Sequence, residues 1–370
     1  MASGMRHLRV PSAQTQRWLL HCKANGWLAE GPVRPLSDEH RGLPLSDSAP
    51  SDDHSVWEGL DVVVLEPVVP APSHWTDRLP EPLCNLPPST WPSAYELQGD
   101  VLMVKLEAGA EPYANEVANA MLAQLPNVRL VCADEGVTGD FRVRSLRPIA
   151  SRNGNMSTKT TVREHGFAMT VDPAVAYFSS RLSTQREHTL EAVRALRQVR
   201  DEPLVVADPY AGVGPAFPLL LDEPGLVGGW LAGDLNPDAV ELLEDNLTRW
   251  SAGKGHEPAQ TVCRDALSWA DDPSLRGRAD VLLVNLPHDS IDHLPHLLPL
   301  LAIRRPVLIR GWAIRSRGSE EADSDQIRNM CTDGGMAVNR VSVTPVKGFS
   351  STKAFVAFEV HGQVQQAFSS

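Results

Sequence analysis

From residue 204 onward, short continuous apolar runs alternate with stretches of helical spacing. Leu204-Val205-Val206-Ala207, Gly228 to Ala232, Gln260 to Cys263, Val281 to Val284 and Pro306 to Ile309 are separated by segments that repeat apolar residues every three to four positions. Strands apolar on both faces, each followed by a helix, predict a mostly parallel sheet covered on both sides. The last two runs, Ala337 to Val341 and Ala354 to Phe358, are joined by a loop alone and predict an antiparallel edge hairpin. Upstream, Phe167 to Val171 reads as a strand and Thr184 to Val199 as a helix. The expected fold class is α/β, with a Rossmann-like domain over 151–370.

The first 150 residues follow another pattern. His7 to Pro11 predicts a short strand, and Ser12 starts a helix through Trp18, Leu19 and Cys22 that Gly26 ends. Residues 36–56 are polar and aperiodic and read as loop; Leu60 to Leu65 reads as a strand. Eight prolines between Pro67 and Pro92 argue against regular structure there and predict a linker or a wrapped loop. Asp100 to Leu106 predicts a strand, Pro112 to Leu125 a helix with Val117, Ala120, Met121 and Leu125 on one face, and Val128 to Cys132 and Phe141 to Arg144 two more strands. The expected organisation is a small N-terminal domain over 1–65, a proline-rich linker over 66–94, a small α+β domain over 95–150, and the α/β domain.

Composition narrows the class. Of 370 residues, 42% are hydrophobic and 22% charged, as in globular proteins. No apolar run approaches the roughly 18 residues of a membrane span, and no leader-like apolar stretch follows Met1, so a cytoplasmic protein is expected. Five cysteines lie far apart, with no Cys-x-x-Cys pair, which points away from a disulfide framework or a metal site. Net charge is −12, yet residues 141–200 hold eleven Arg and Lys against four acids. That +7 window could grip a polyanion or be a solvated helix face.

The chemistry gathers where the apolar runs end. The first runs into Asp208-Pro-Tyr-Ala211-Gly212-Val-Gly214-Pro215. A Gly-x-Gly turn leaving a strand lets backbone N–H groups approach a ligand. It serves a nicotinamide dinucleotide or a sulfonium nucleoside equally. However, Phe217 stands where the dinucleotide fingerprint needs Gly or Ala, and Asp208 suits an ammonium better than a pyrophosphate. The second run ends in Asp234-Leu235-Asn236, where an acid can accept ribose hydroxyls. The third ends in Arg264-Asp265-Ala266, placed for an adenine edge, and the fourth in Asn285-Leu286-Pro287, an amide on a rigid turn suited to a base edge. Taken singly, each is an ordinary turn or cap. In order, at the carboxyl ends of successive strands, they mark one pocket.

These motifs resemble those of the archaeal and eukaryotic-type tRNA (guanine-N1)-methyltransferases, which modify the guanosine 3′ of the anticodon (position 37). Arg163-Glu-His-Gly166, Tyr177-Phe-Ser-Ser-Arg181, Tyr95 to Leu106 and Gly139 to Arg144 are similar to the family's upstream segments, and Arg9-Val10-Pro11 to its small N-terminal domain. The resemblance implies S-adenosylmethionine as cofactor, held by Asp208, Ala211, Gly212, Gly214, Asp234, Leu235, Asn236, Asp265, Ala266 and Asn285. Asn285 and Pro287 would frame the target guanine, and Arg142 or Arg144 would offset charge on its oxygen. Arg163, Arg181 and Arg186 would meet tRNA. No metal or membrane is implied, and a monomer is expected. One departure matters: Gln185 stands where the family has the Glu thought to take the N1 proton, and an amide cannot accept it at neutral pH. Glu187, Glu164 and Asp289 are other candidates. Two further readings follow, an aminocarboxypropyl transferase of wybutosine-type synthesis using the same cofactor, and a tRNA-binding homologue with a weakened site.

Overall fold

The computed structural model describes residues 4–66, 72–139, 141 and 143–365. The chain divides into two compact units, Met1–Ser73 and His74–Ser370. In the first unit, β1 (Met5–Pro11) is followed by α1 (Thr15–Ala24), β2 (Arg34–Pro35), β3 (His40–Pro44) and β4 (Val62–Leu65). The strands form an antiparallel sheet in the order β2-β3-β1-β4. Trp18 and Cys22 of α1 pack on Leu8, Val10, Leu43 and Trp57. The stretch expected as loop, 36–56, therefore contains a strand. Its sequence, His-Arg-Gly-Leu-Pro, has little strand character, and pairing with β1 makes it one.

The second unit begins in the proline-rich stretch, which from His74 on wraps onto a core as a loop rather than running free as a linker. Single 3₁₀ turns at Trp75–Arg78, Leu83–Asn85 and Pro88–Thr90 set Trp75, Leu79 and Trp91 into a core. Proline fixes φ without needing a helical N–H, so such turns tolerate it. The core is completed by β5 (Tyr95–Gln98), β6 (Val101–Val104), α2 (Ala114–Gln124), β7 (Leu130–Thr138) and β8 (Val143–Ser151). These strands form a sheet in the order β5-β6-β7-β8, with β6 and β7 parallel. A hairpin follows, β9 (Thr160–Glu164) and β10 (Phe167–Val171), closed by His165-Gly166, both at positive φ.

The largest sheet contains the alternating apolar runs that begin at Leu204. Its elements are α3 (Ser183–Gln198), β11 (Leu204–Asp208), α4 (Phe217–Asp222), β12 (Val227–Asp234), α5 (Pro237–Ser251), β13 (Ala259–Cys263), β14 (Val281–Val284), α6 (Ser290–Leu297), β15 (Pro306–Ser316), α7 (Glu320–Asp333), β16 (Met336–Gly348) and β17 (Lys353–Val364). The strand order is β13-β12-β11-β14-β15-β17-β16. The first five are parallel, and β17 runs antiparallel to both β15 and β16, giving the edge hairpin. Val206, Val281 and Leu283 face a core shared with Val193, Leu220 and Leu243, from α3, α4 and α5. Ala207, Leu282 and Val284 face another shared with Leu294 of α6 and Ile327 of α7. Strand order reverses between β11 and β14, so their carboxyl ends flank a crevice.

Candidate active site

The β11 turn is built by its glycines. Gly212 and Gly214 have φ of +54° and +84°. A Cβ on Gly214 would lie 2.6 Å from Leu243 Cδ1 of α5, whereas one on Gly212 would meet nothing closer than 3.6 Å. Position 214 therefore demands glycine for space as well as for φ. The Gly212 N–H donates to Asp234 Oδ2 at 2.9 Å, and the Asn236 N–H to Asp234 Oδ1 at 3.0 Å. Asp234 thus ties the ends of β11 and β12 together. Burial raises its pKa.

Asp208 is 4% exposed, and one carboxylate oxygen accepts the Tyr210 N–H at 3.1 Å. Among the described residues it has no cationic partner. Burial, with Asp234 adding to it, pushes the Asp208 carboxyl up to about 7. Tyr210 donates to or accepts from His293 Nδ1 at 2.7 Å. Burial, then the charges of Asp265, Asp208 and Asp289, push its hydroxyl up as well. Asp208, Asp265 and Asp289 thus lie close enough to Tyr210 for their charges to act on it.

A small cavity at the crevice is lined by Gln185, Arg186, Asp208, Tyr210, Ala211, Asn285 and Trp312. Its free volume is about 30 Å³, room for one water, so a purine enters only if lining side chains move. Ser290 Oγ shapes the Asn285 turn by accepting the Leu286 N–H at 3.0 Å and reaching the Val284 carbonyl. The Ile314 N–H donates to the Pro287 carbonyl at 2.7 Å, anchoring the turn to β15. A larger groove of about 420 Å³ beside β7 is lined by Lys105, Glu111, Glu135 and Arg147. Its Arg147 is spent on Glu111 and Glu135, and none of the strand-end acids reach it.

Several residues singled out in the sequence have other employment. Asn236 caps α5 by accepting the Asp238 N–H and donates to the Val175 carbonyl, so its side chain holds structure rather than a ligand. Asp265 accepts the Leu267 N–H at 3.0 Å, capping a turn, but remains exposed. Ala266 is buried beside it, and Leu235 is 54% exposed. Arg186 is buried; its guanidinium donates to both Glu164 oxygens, at 2.7 and 2.6 Å, and to the Ser179 carbonyl. It is not offered to phosphate, and Glu164 is not a free base. Arg144 is split between Glu96 at 2.6 Å and Asp134 at 2.9 Å, which leaves it poorly placed to serve a base oxygen. Arg142 lies outside the described residues.

The basic window is thus largely consumed. Arg147, Lys159, Arg194 and Arg200 form ion pairs, and Arg152 and Arg197 donate to backbone carbonyls. Among its described residues, Arg163 and Arg181 are exposed with no partner in the chain. Tyr210, Arg310 and Trp312 went unrecognised in the sequence. The Tyr lies inside the Asp208 motif, but the β15 pair sits in an apolar run that carries no signal.

Strand order, switch-point crevice and glycine turn define a Rossmann-like α/β fold. Comparison with known proteins agrees. Residues 160–309 match the TRM5/TYW2 methyltransferase domain, and residues 77–154 match the TYW2 N-terminal domain. A relative from Pyrococcus abyssi, tRNA (guanine(37)-N(1))-methyltransferase Trm5b, is 29% identical over 206 residues, 55% of this chain and 56% of its own. Another from Vitis vinifera, tRNA (guanine(37)-N(1))-methyltransferase 1, is 34% identical over 42% of this chain and 24% of its own. The chain thus spans at most about half the length of these relatives. The crystal structure of Pyrococcus abyssi Trm5b superposes with a TM-score of 0.66 at 21% identity, covering 97% of this chain and 99% of that one.

Proposed function

We propose that this chain transfers a methyl group from S-adenosylmethionine to N1 of the guanosine at position 37 of tRNA. The observation that carries this reading is the meeting of Asp208, Asp234 and Asn285 at the ends of three neighbouring strands, in a domain that matches the TRM5/TYW2 family. The donor set fits the cofactor. A buried carboxylate with no cationic partner, Asp208, suits an ammonium, and an ammonium beside it would hold it ionised. Asp234 keeps lone pairs for ribose hydroxyls, and exposed Leu235 offers an apolar surface to adenine beside Asp265 and Ala266.

When bound, the cofactor supplies an electrophilic methyl group on a sulfonium. The remaining tasks fall to the protein. Asn285 and the Pro287 turn hold the edge of the guanine against the cavity. Arg163 and Arg181 meet backbone phosphates. The names of both relatives favour methyl over aminocarboxypropyl transfer.

Incubating the protein with the cofactor and unmodified tRNA bearing guanosine at position 37 tests this. The expected products are S-adenosylhomocysteine and N1-methylguanosine. Methylthioadenosine would mean aminocarboxypropyl transfer instead, and cofactor binding with no modified nucleoside would mean a decayed site.

A further inference from the structure

Gln185 occupies the first turn of α3, is 7% exposed, and lines the cavity with Asp208 and Asn285. Two groups that can only donate meet its Oε1. The Trp312 indole N–H lies at 3.1 Å and an Arg310 guanidinium N–H, more loosely, at 3.4 Å. Those donors fix the sense of the amide, since turning it over would set its N–H₂ against two N–H groups. Arg310 is itself held in place by Thr189 Oγ1 at 3.0 Å and by Glu359. Burial lowers its pKa to about 10, so it stays charged and donating through pH 9. The end of Gln185 left over is the N–H₂. Its hydrogen-bond contact among the described residues, His188 Nδ1, is 3.5 Å away, at the outer limit for such a bond.

Among the described residues lining the cavity no free proton acceptor takes its place: His188, His293 and Asp289 lie outside that lining, and Glu187 pairs with His165. Arg186 is paired with Glu164, and Glu359 with Arg310. Glu191 acts on Arg310 through charge. Asp208 is the one carboxylate lining the cavity, and the function proposed above commits it to the cofactor's ammonium. The Tyr210 hydroxyl is pushed above its ordinary pKa and is no base.

We propose that Gln185 is a hydrogen-bond donor to guanine that has already lost its N1 proton, and that solvent takes that proton. The inference rests on the function proposed above. The N1–H bond breaks, its electron pair stays on the base and spreads to O6, and hydroxide or water carries the proton away. N1 then bonds to the methyl carbon as the sulfur–carbon bond breaks, leaving that pair on sulfur. The Gln185 N–H₂ stabilises the anionic base, as preorganised donors do for an oxyanion.

The test is the single-turnover rate at saturating cofactor and tRNA between pH 7 and 9. The expected rate climbs about tenfold for each pH unit. A plateau beginning below pH 7.5 overturns the inference, because a protein group must then be taking the proton. Gln185→Leu is expected to lower the rate at least tenfold across that range, with cofactor affinity unchanged; full activity in that variant also overturns it. A readout without cofactor uses tRNA binding. Affinity should gain more between pH 7 and 9 in the unaltered protein than in Gln185→Leu, and identical gains overturn the inference. If no N1-methylguanosine forms at any pH, the proposed function itself fails and this inference with it. If it forms at a pH-independent rate, this inference alone falls.

Discussion

Asp208 concentrates the site's cost in one side chain. Its carboxyl titrates near 7 in the fold and near the ordinary 3.8 in the unfolded chain. Between those values the native state binds more protons, so stability falls as pH rises from about 4 to 7 and stays reduced above. Asp208→Asn keeps an oxygen for the Tyr210 N–H and removes the buried charge. Thermal melts should show it more stable than the unaltered, ligand-free protein at pH 8, by roughly 1–3 kcal/mol, with the gain shrinking toward pH 5. Calorimetry should show cofactor affinity lost. Equal stability at pH 8 contradicts a strained carboxylate. Asp208 was legible because it ends a strand before Gly-x-Gly. The fates of Arg186 and Arg144 were not, since their partners Glu164 and Glu96 lie 22 and 48 residues away in sequence.

At the scale of elements, the β11 turn separates two glycines that look alike in sequence. Gly214→Ala must adopt a left-handed backbone and push into Leu243, costing roughly 2–4 kcal/mol. Gly212→Ala faces the backbone cost alone, about 1–2 kcal/mol. Chemical denaturation of the two variants distinguishes them, and equal losses contradict the packing argument. The strands β11 to β15 could be read because each is buried on both faces and spells a continuous apolar run. Strand β3 could not, because tertiary pairing rather than composition makes it extended. The 3₁₀ turns around Trp75 and Trp91 were hidden by the prolines that also permit them.

At the scale of the whole molecule, net charge misleads in both directions. The chain carries −12, and its +7 window suggests a broad cationic strip, yet ion pairs and carbonyls absorb most of it. Sequence counts charges but does not say which are neutralised across the fold. Arg163→Ala and Arg181→Ala should each weaken tRNA binding and reduce the slope of log affinity against log salt by about 1. Arg194→Ala, which breaks the pair with Glu223, should leave that slope unchanged. A slope insensitive to the first two contradicts their role. Among the described residues no helix is long and apolar enough to cross a membrane. The proposed activity requires Asp208, Asp234 and Asn285 to form one nucleoside pocket. Calorimetric titration of S-adenosylmethionine into the unaltered protein and into Asp234→Ala, with both checked for intact melting, tests that most directly. One site per chain, weakened at least tenfold by the substitution, is the expected result; undiminished binding in Asp234→Ala would contradict it.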